Sequence, residues 1–104
     1  MAADFLVGKG FEIIARNYRY KHCEIDLITK KDNWLIFVEV KFRSSDAYGY
    51  PEDFVDYQKV KNILEAAEQY TFEKDWQGNV RYDIVSIRSG HGQMEIVHIE
   101  DAFY

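Results

Sequence analysis

Three residues in this sequence have types and spacing that could do chemistry together: Asp26, Glu39 and Lys41. Glu39 and Lys41 lie in Trp34 to Arg43, WLIFVEVKFR, whose β-branched and aromatic residues predict a strand. Side chains alternate along a strand, so Glu39 and Lys41 leave by one face, roughly 7 Å apart along the backbone. Ile36, Val38, Val40 and Phe42 leave by the other face. Asp26 lies in a second predicted strand, Glu24 to Lys30, and Lys31-Asp32-Asn33 forms the turn between the two. Alternation puts Glu24, Asp26 and Ile28 on one face of that strand and Ile25, Leu27 and Thr29 on the other. Pairing the strands would stand Asp26 beside Glu39. Two carboxylates and an ammonium in one place suit a hard divalent cation and a phosphate.

The roles follow from the charge of the substrate. A phosphodiester is anionic and repels hydroxide. A Mg²⁺ or Mn²⁺ ion held by Asp26 and Glu39 would neutralise that charge, bind the attacking water and lower its pKa. The backbone carbonyl of Val40 is a further oxygen ligand in this arrangement. Lys41 would orient the water and stabilise charge building on phosphorus. The same E-x-K spacing also fits a strand whose Glu39 and Lys41 make salt bridges to neighbouring strands, and spacing alone does not separate the two.

Other chemistries find less support. His22, His91 and His98 show no metal-ligand spacing. Cys23 is the single cysteine, which leaves no intramolecular disulfide and no zinc site of thiolate type within one chain. Neither a glycine-rich phosphate loop before a helix nor a serine elbow is present.

The remaining elements must position these residues. Residues 2–8, AADFLVG, read as the end of a helix, with Gly8 or Gly10 as its stop. Phe11 to Tyr18 reads as a first strand. Arg16, Arg19 and Lys21 then form a basic patch with Tyr18 and Tyr20 interleaved, which fits either a solvated strand edge or a phosphate contact with rings for stacking. The three strands suggest an antiparallel meander. A polar loop from Ser44 to Asp53 leaves the Glu39/Lys41 strand, and such loops often carry substrate contacts. A helix follows from an Asp56 cap to about Lys74, with Val60, Ile63, Leu64, Ala67 and Tyr70 as its apolar stripe. Lys59, near its start, could reach a phosphate or be an ordinary surface lysine. Val80 to Arg88 and Gln93 to Ile99 form a final hairpin about Ser89-Gly90-His91-Gly92, and the aromatic tail, Glu100 to Tyr104, is expected to pack on the body.

With 104 residues, 47% of them hydrophobic, the expectation is one domain, 1–104, with an ordinary core. The apolar runs are too short to span a membrane and no leader pattern opens the chain, so a cytoplasmic protein is expected. The net charge of −5 argues against strong nonspecific nucleic-acid binding. Its distribution is uneven: residues 1–43 balance to +2 and residues 44–104 to −7, which assigns any phosphate-binding surface to the first part.

The strings RNYR at 16–19, CEIDLI at 23–28, FVEVKFR at 37–43, YGYPEDFVDYQK at 48–59, RYDIV at 81–85 and HIEDAF at 98–103 carry a resemblance. In that order, over nearly the whole chain, they resemble the YraN-like family of predicted endonucleases. That family is similar to archaeal Holliday junction resolvases and to the PD-(D/E)XK nuclease class. The resemblance implies an α/β (α+β), restriction-endonuclease-like fold: a central mixed five-stranded sheet flanked by helices, in the order α-β-β-β-α-β-β. It implies that Asp26, Glu39 and Lys41 match the metal-binding and catalytic motif. Arg16, Arg19, Arg43 and Lys59 become candidate DNA contacts, Glu24 a supporting acid, and Arg81 and Asp83 match recurrent positions. The family has glycine at the position of Cys23. It also has a Gly-Glu in a longer first helix, upstream of the position matching Ala2, whose glutamate is the fourth acidic group; Glu12 does not match it.

The expectation is therefore a Mg²⁺- or Mn²⁺-dependent deoxyribonuclease, acting on DNA with branched, Holliday-junction-like substrates in view, and working as a homodimer as such resolvases do. The alternative expectation is a catalytically inactive nucleic-acid-binding or protein-interaction module on the same scaffold, favoured by the upstream position of the family glutamate and by the acidic net charge.

Overall fold

The computed structural model describes residues 1–44, 57–90 and 92–102, with the backbone alone for residues 43 and 44. The expected Asp56 cap, residues 45–53 of the expected loop, His91 and the last two aromatic residues lie outside these. Helix α1 spans Ala2–Gly8, strands β1 Glu12–Tyr20, β2 Cys23–Lys31 and β3 Trp34–Ser44, helix α2 Tyr57–Glu73, and strands β4 Asn79–Gly90 and β5 Gln93–Ile99. The order α-β-β-β-α-β-β is the expected one. Several strand ends differ: β1 is Glu12–Tyr20 rather than Phe11 to Tyr18, β2 gains Cys23 and Lys31, β3 runs on to Ser44, and β4 gains Asn79 and includes Ser89 and Gly90, assigned to a turn from their composition.

The five strands form one sheet in the order β1-β2-β3-β4-β5. β1, β2 and β3 are an antiparallel meander, and β4 and β5 an antiparallel hairpin. β3 and β4 run parallel from Trp34 opposite Asn79 to Ser44 opposite Ser89. Parallel neighbours need a crossover, and α2 lies in it.

Each face of the sheet buries its own cluster. On one, Ile63, Ala66, Ala67 and Tyr70 of α2 pack with Ile25, Ile28, Leu35, Phe37 and Ile84. Leu64 was expected in that stripe and is only half-buried, while Ala66 is wholly buried. The adjacent alanines present little side-chain bulk to the strands. On the other face Ala2, Ala3 and Leu6 of α1 cover Leu27, Ile36, Val38, Val85 and Ile87.

A polar network sits among these apolar groups on the α1 side. Asp83 is fully buried and accepts two hydrogen bonds from Arg81, each 2.9 Å, and one from the Asp101 N–H at 2.9 Å. His98 Nε2 donates to Asp83 at 2.7 Å, which leaves Nδ1 to accept from the Lys9 ammonium at 2.6 Å. His98 is thereby joined to the α1 C-cap, and Phe5 and Phe11 meet its ring edge-on. From the sequence, Arg81 and Asp83 stood out only as recurrent positions and His98 only as a histidine without metal-ligand spacing. With both Asp83 oxygens and both His98 ring nitrogens bonded, the role of this cluster is to fasten β4, β5 and α1 together.

Gly78 precedes β4 where the crossover returns to the sheet. A Cβ there would meet the Asn33 carbonyl oxygen at 2.6 Å, and that oxygen already accepts the Asn79 N–H at 2.9 Å. Gly78→Ala should therefore cost about 1–3 kcal/mol in chemical denaturation. Gly8→Ala, with nothing within 4 Å of the added methyl, should be neutral or mildly stabilising.

Candidate active site

β2 and β3 are paired from Lys31 opposite Trp34 to Leu27 opposite Val38. Continued by one residue, that register would put Asp26 opposite Glu39. There the backbone ladder gives way to a side chain: the Val40 N–H donates to Asp26 Oδ2 at 2.7 Å. Asp26 thus lies against the peptide that joins Glu39 to Val40, one residue before Lys41.

The expected strict alternation along β2 is broken at this residue. Ile25 and Ile28 pack on the α2 side but Leu27 packs on the α1 side. On β1, Arg16 stands opposite Leu27 and Tyr18 opposite Ile25, so Asn17 faces Asp26, and Asn17 has φ 51°. Asparagine is one of the few residues that take the left-handed region readily. The two strands turn over together there, and Asp26 ends up lining both a small α2-side recess with Glu24 and Glu39 and an α1-side cleft of about 420 Å³. Arg16, Asn17, Val40 and Phe42 line the same cleft.

The electrostatics are those of a crowded acidic position. Burial pushes the Asp26 carboxyl above its usual range, and the charges of Glu39 and Glu24 push the same way. The Val40 N–H and the Lys59 ammonium oppose the rise without cancelling it. Glu39 is buried, 8% exposed, and makes an ion pair with Lys59 of α2. Lys59 was expected to be a phosphate contact or a surface lysine; here its ammonium lies on the candidate ligand Glu39. Lys41 is half-buried and has neither an ion pair nor a hydrogen bond among the described residues.

The basic patch is divided between tasks. Arg16 is exposed at the cleft. Arg19 pairs across the strands with Glu24 at 3.4 Å, both partners open to solvent. Lys21 binds Glu65 of α2 at 3.2 Å. Tyr18 is not a free stacking ring: its hydroxyl donates to Glu73 at 2.6 Å and its ring meets Tyr70 edge-on. Burial first, and Glu73 second, raise that phenol to about 12. The Arg43 side chain lies outside the described residues. Cys23 is half-buried between β1 and α2, and burial, followed by the Glu39 charge, raises its thiol. A raised thiol is a poor nucleophile, in keeping with a packing role.

The donor set bears on a divalent ion. Among the described residues no group of three or more His, Cys, Asp or Glu side chains is placed so that it could hold a metal ion. Two carboxylates and a neighbouring carbonyl remain, and Mg²⁺ is commonly held by one or two carboxylates, with water and substrate phosphate completing its shell. A lysine ammonium on Glu39 and a raised Asp26 both mark a place where positive charge is favourable. Two carboxylates and a carbonyl are the donor chemistry that such an ion takes.

Comparison with known proteins agrees with the motif reading. The model of Uncharacterised protein family UPF0102 matches residues 1–87. A UPF0102 protein of Flavobacterium psychrophilum is 38% identical over 104 residues, all of this chain and 87% of that protein. One of Cytophaga hutchinsonii is 42% identical over 100 residues, covering 96% of this chain and 86% of its own, and one of Rhodococcus opacus is 42% identical over 106 residues, 99% and 89%. The chain belongs to this family. It is the YraN-like family that the strings around Asp26 and Glu39 pointed to, and its UPF0102 relatives match along the whole chain, β5 included.

The raised carboxyl has a measurable consequence. A folded-state value above the unfolded one means that ionised Asp26 destabilises the fold at neutral pH. That penalty fades as the pH falls from the folded value through the unfolded one. Asp26→Asn keeps an oxygen for the Val40 N–H and should raise stability by about 0.5–2 kcal/mol at pH 7. Paired denaturation curves should show the gain shrinking on acidification; a gain independent of pH would mean that ionisation is not its source.

Proposed function

We propose that this UPF0102 chain is a metal-dependent endonuclease that hydrolyses DNA phosphodiester bonds, with branched duplexes as the preferred substrate class. The observation that carries the reading is the Asp26 carboxylate seated 2.7 Å from the Val40 N–H, between Glu39 and Lys41 in sequence, where β2 and β3 part.

In this reading Asp26, Glu39 and the Val40 carbonyl hold Mg²⁺ or Mn²⁺. The bound ion supplies charge neutralisation at the phosphate and acidifies an attacking water. Asp26 is kept in place by the Val40 N–H, so its second oxygen is the one free to face outward. Glu39, paired with Lys59 in this structure, would hold the ion in that lysine's place, and Lys59, half exposed, would be available to the substrate phosphate. Lys41 stabilises the charge that develops there. Arg16 at the cleft and Arg43 just beyond Lys41 contact the flanking backbone, and Glu24 holds Arg19. Cutting both strands of a branched duplex calls for two such sites, which a homodimer would supply.

A second reading is a binding module without catalysis. The Lys59–Glu39 ion pair favours it, because an internal cation already satisfies the acid.

Cleavage assays on four-way junctions and linear duplexes separate the two. Mg²⁺ or Mn²⁺ should support cleavage, chelation should abolish it, and Glu39→Ala or Lys41→Ala should lower the rate at least about a hundredfold. Salt-sensitive DNA binding with no metal-dependent product, or equal trace activity in wild type and Glu39→Ala, would leave the binding module.

A further inference from the structure

β4 turns alternate residues to the two faces of the sheet: Val85 and Ile87 lie under α1, and Ile84 packs with α2. By that alternation Ser86 joins Ile84 on the α2 side. β3 presents Leu35 and Phe37 to the same side, and Glu39 and Lys41 continue the series. In the parallel ladder Glu39 stands opposite Ile84, and Lys41 stands opposite Ser86.

Ser86 is 1% exposed, and its Oγ has no hydrogen-bond partner among the described residues. A buried hydroxyl without a partner is unfavourable, and alanine at this position would avoid the penalty. Its other lateral neighbour is Val97 of β5, which offers no polar side-chain group. Next to it on β3 is an ammonium equally without a partner among the described residues. Paired strands are about 4.8 Å apart, well within the sweep of a four-carbon lysine stem. A hydroxyl oxygen is an acceptor for an ammonium.

We propose that Ser86 is the positioning residue for Lys41: the two are not bonded in this structure, and rotation of the lysine stem brings Nζ to the Ser86 Oγ, which then accepts its hydrogen bond and holds the ammonium beside Glu39. The catalytic consequence rests on the reading of Lys41 given above; the contact itself does not. The other candidate role for Ser86 is packing alone.

The test uses the full chain as wild type, Ser86→Ala and Ser86→Thr. In a two-dimensional proton–carbon spectrum, a lysine held in one geometry shows two distinct ε-proton shifts, and a freely rotating one shows a single shift. The Lys41 signal is assigned by its loss in Lys41→Arg. Two shifts are expected in wild type and Ser86→Thr, merging in Ser86→Ala, whose melting temperature should be no lower than that of wild type. On the junction substrate, Ser86→Ala should lose roughly tenfold to a hundredfold in kcat with KM nearly unchanged. Combined with Lys41→Ala it should add no further loss. A single Lys41 shift in wild type, or a pair that survives Ser86→Ala, overturns the contact, and comparing those two proteins decides it even if the threonine variant misfolds. A signal that merges as expected in a protein that cuts no DNA leaves the contact standing and removes the nuclease reading.

Discussion

The candidate site depends on one substitution of a side chain for a backbone. β2 and β3 are joined by peptide hydrogen bonds up to Leu27 and Val38, and the next bond on that seam is made by the Asp26 carboxylate to the Val40 N–H. A buried N–H must be bonded to something, so the carboxylate is held in the seam rather than released to solvent. Holding it there partly strips it of water, and that desolvation is the largest cause of its raised pKa. The local turnover of β1 and β2 at Asn17 and Asp26, the recess shared with Glu39 and the α1-side cleft all belong to the same place.

Much of this was legible in the chain and some was not. The amphipathic α2 announces itself by period, because it buries one well-defined face, and β2, β3 and β5 by their β-branched and apolar residues between turn signals. The pairing of β2 with β3 followed from a short turn. The mixed sheet came from the family resemblance, since periodicity cannot tell a parallel return from an antiparallel one. The turnover at Asp26 could not be read from alternation, because two adjacent strands depart from it together. Its one local signal was Asn17, a residue tolerant of positive φ. The Lys59–Glu39 pair was also out of reach: a lysine at the start of a helix looks the same whether it faces a phosphate or reaches back to a strand. The basic patch misled in part because Tyr18 owes its place to Tyr70 and Glu73, fifty residues or more further along the chain.

Lys59 gives the acidic pair a counter-ion that belongs to the fold. A buried carboxylate such as Glu39 is costly without a partner, and the lysine compensates it in the free protein. On the proposed reading the lysine would have to be displaced before a cation bound, so the ion pair would weaken apparent affinity for a metal while protecting the fold in its absence. On the proposed reading, the distribution of charge reconciles a net charge of −5 with a nucleic-acid substrate. The excess of acid is carried after residue 43, whereas Arg16 and Arg19 lie on β1, paired with the strand that bears Asp26, Lys21 lies in the turn that joins those two strands, and Lys41 lies on β3 with Glu39. Local field, not net charge, meets the phosphates first.

Three unfavourable features gather along a short length of β3 and its neighbours: a carboxyl raised by burial at Asp26, a second buried carboxylate at Glu39 and an unbonded hydroxyl at Ser86. The Asp83 cluster elsewhere in the sheet shows what this fold does with polar groups that only need to be stable: both Asp83 oxygens and both His98 ring nitrogens are bonded. The contrast is between two buried polar groupings on one sheet, one closed and one open. Selection for stability alone closes such groupings or replaces them with apolar residues. An open grouping of two acids, a lysine and a hydroxyl is what the proposed function calls for, with a ligand as the outstanding partner.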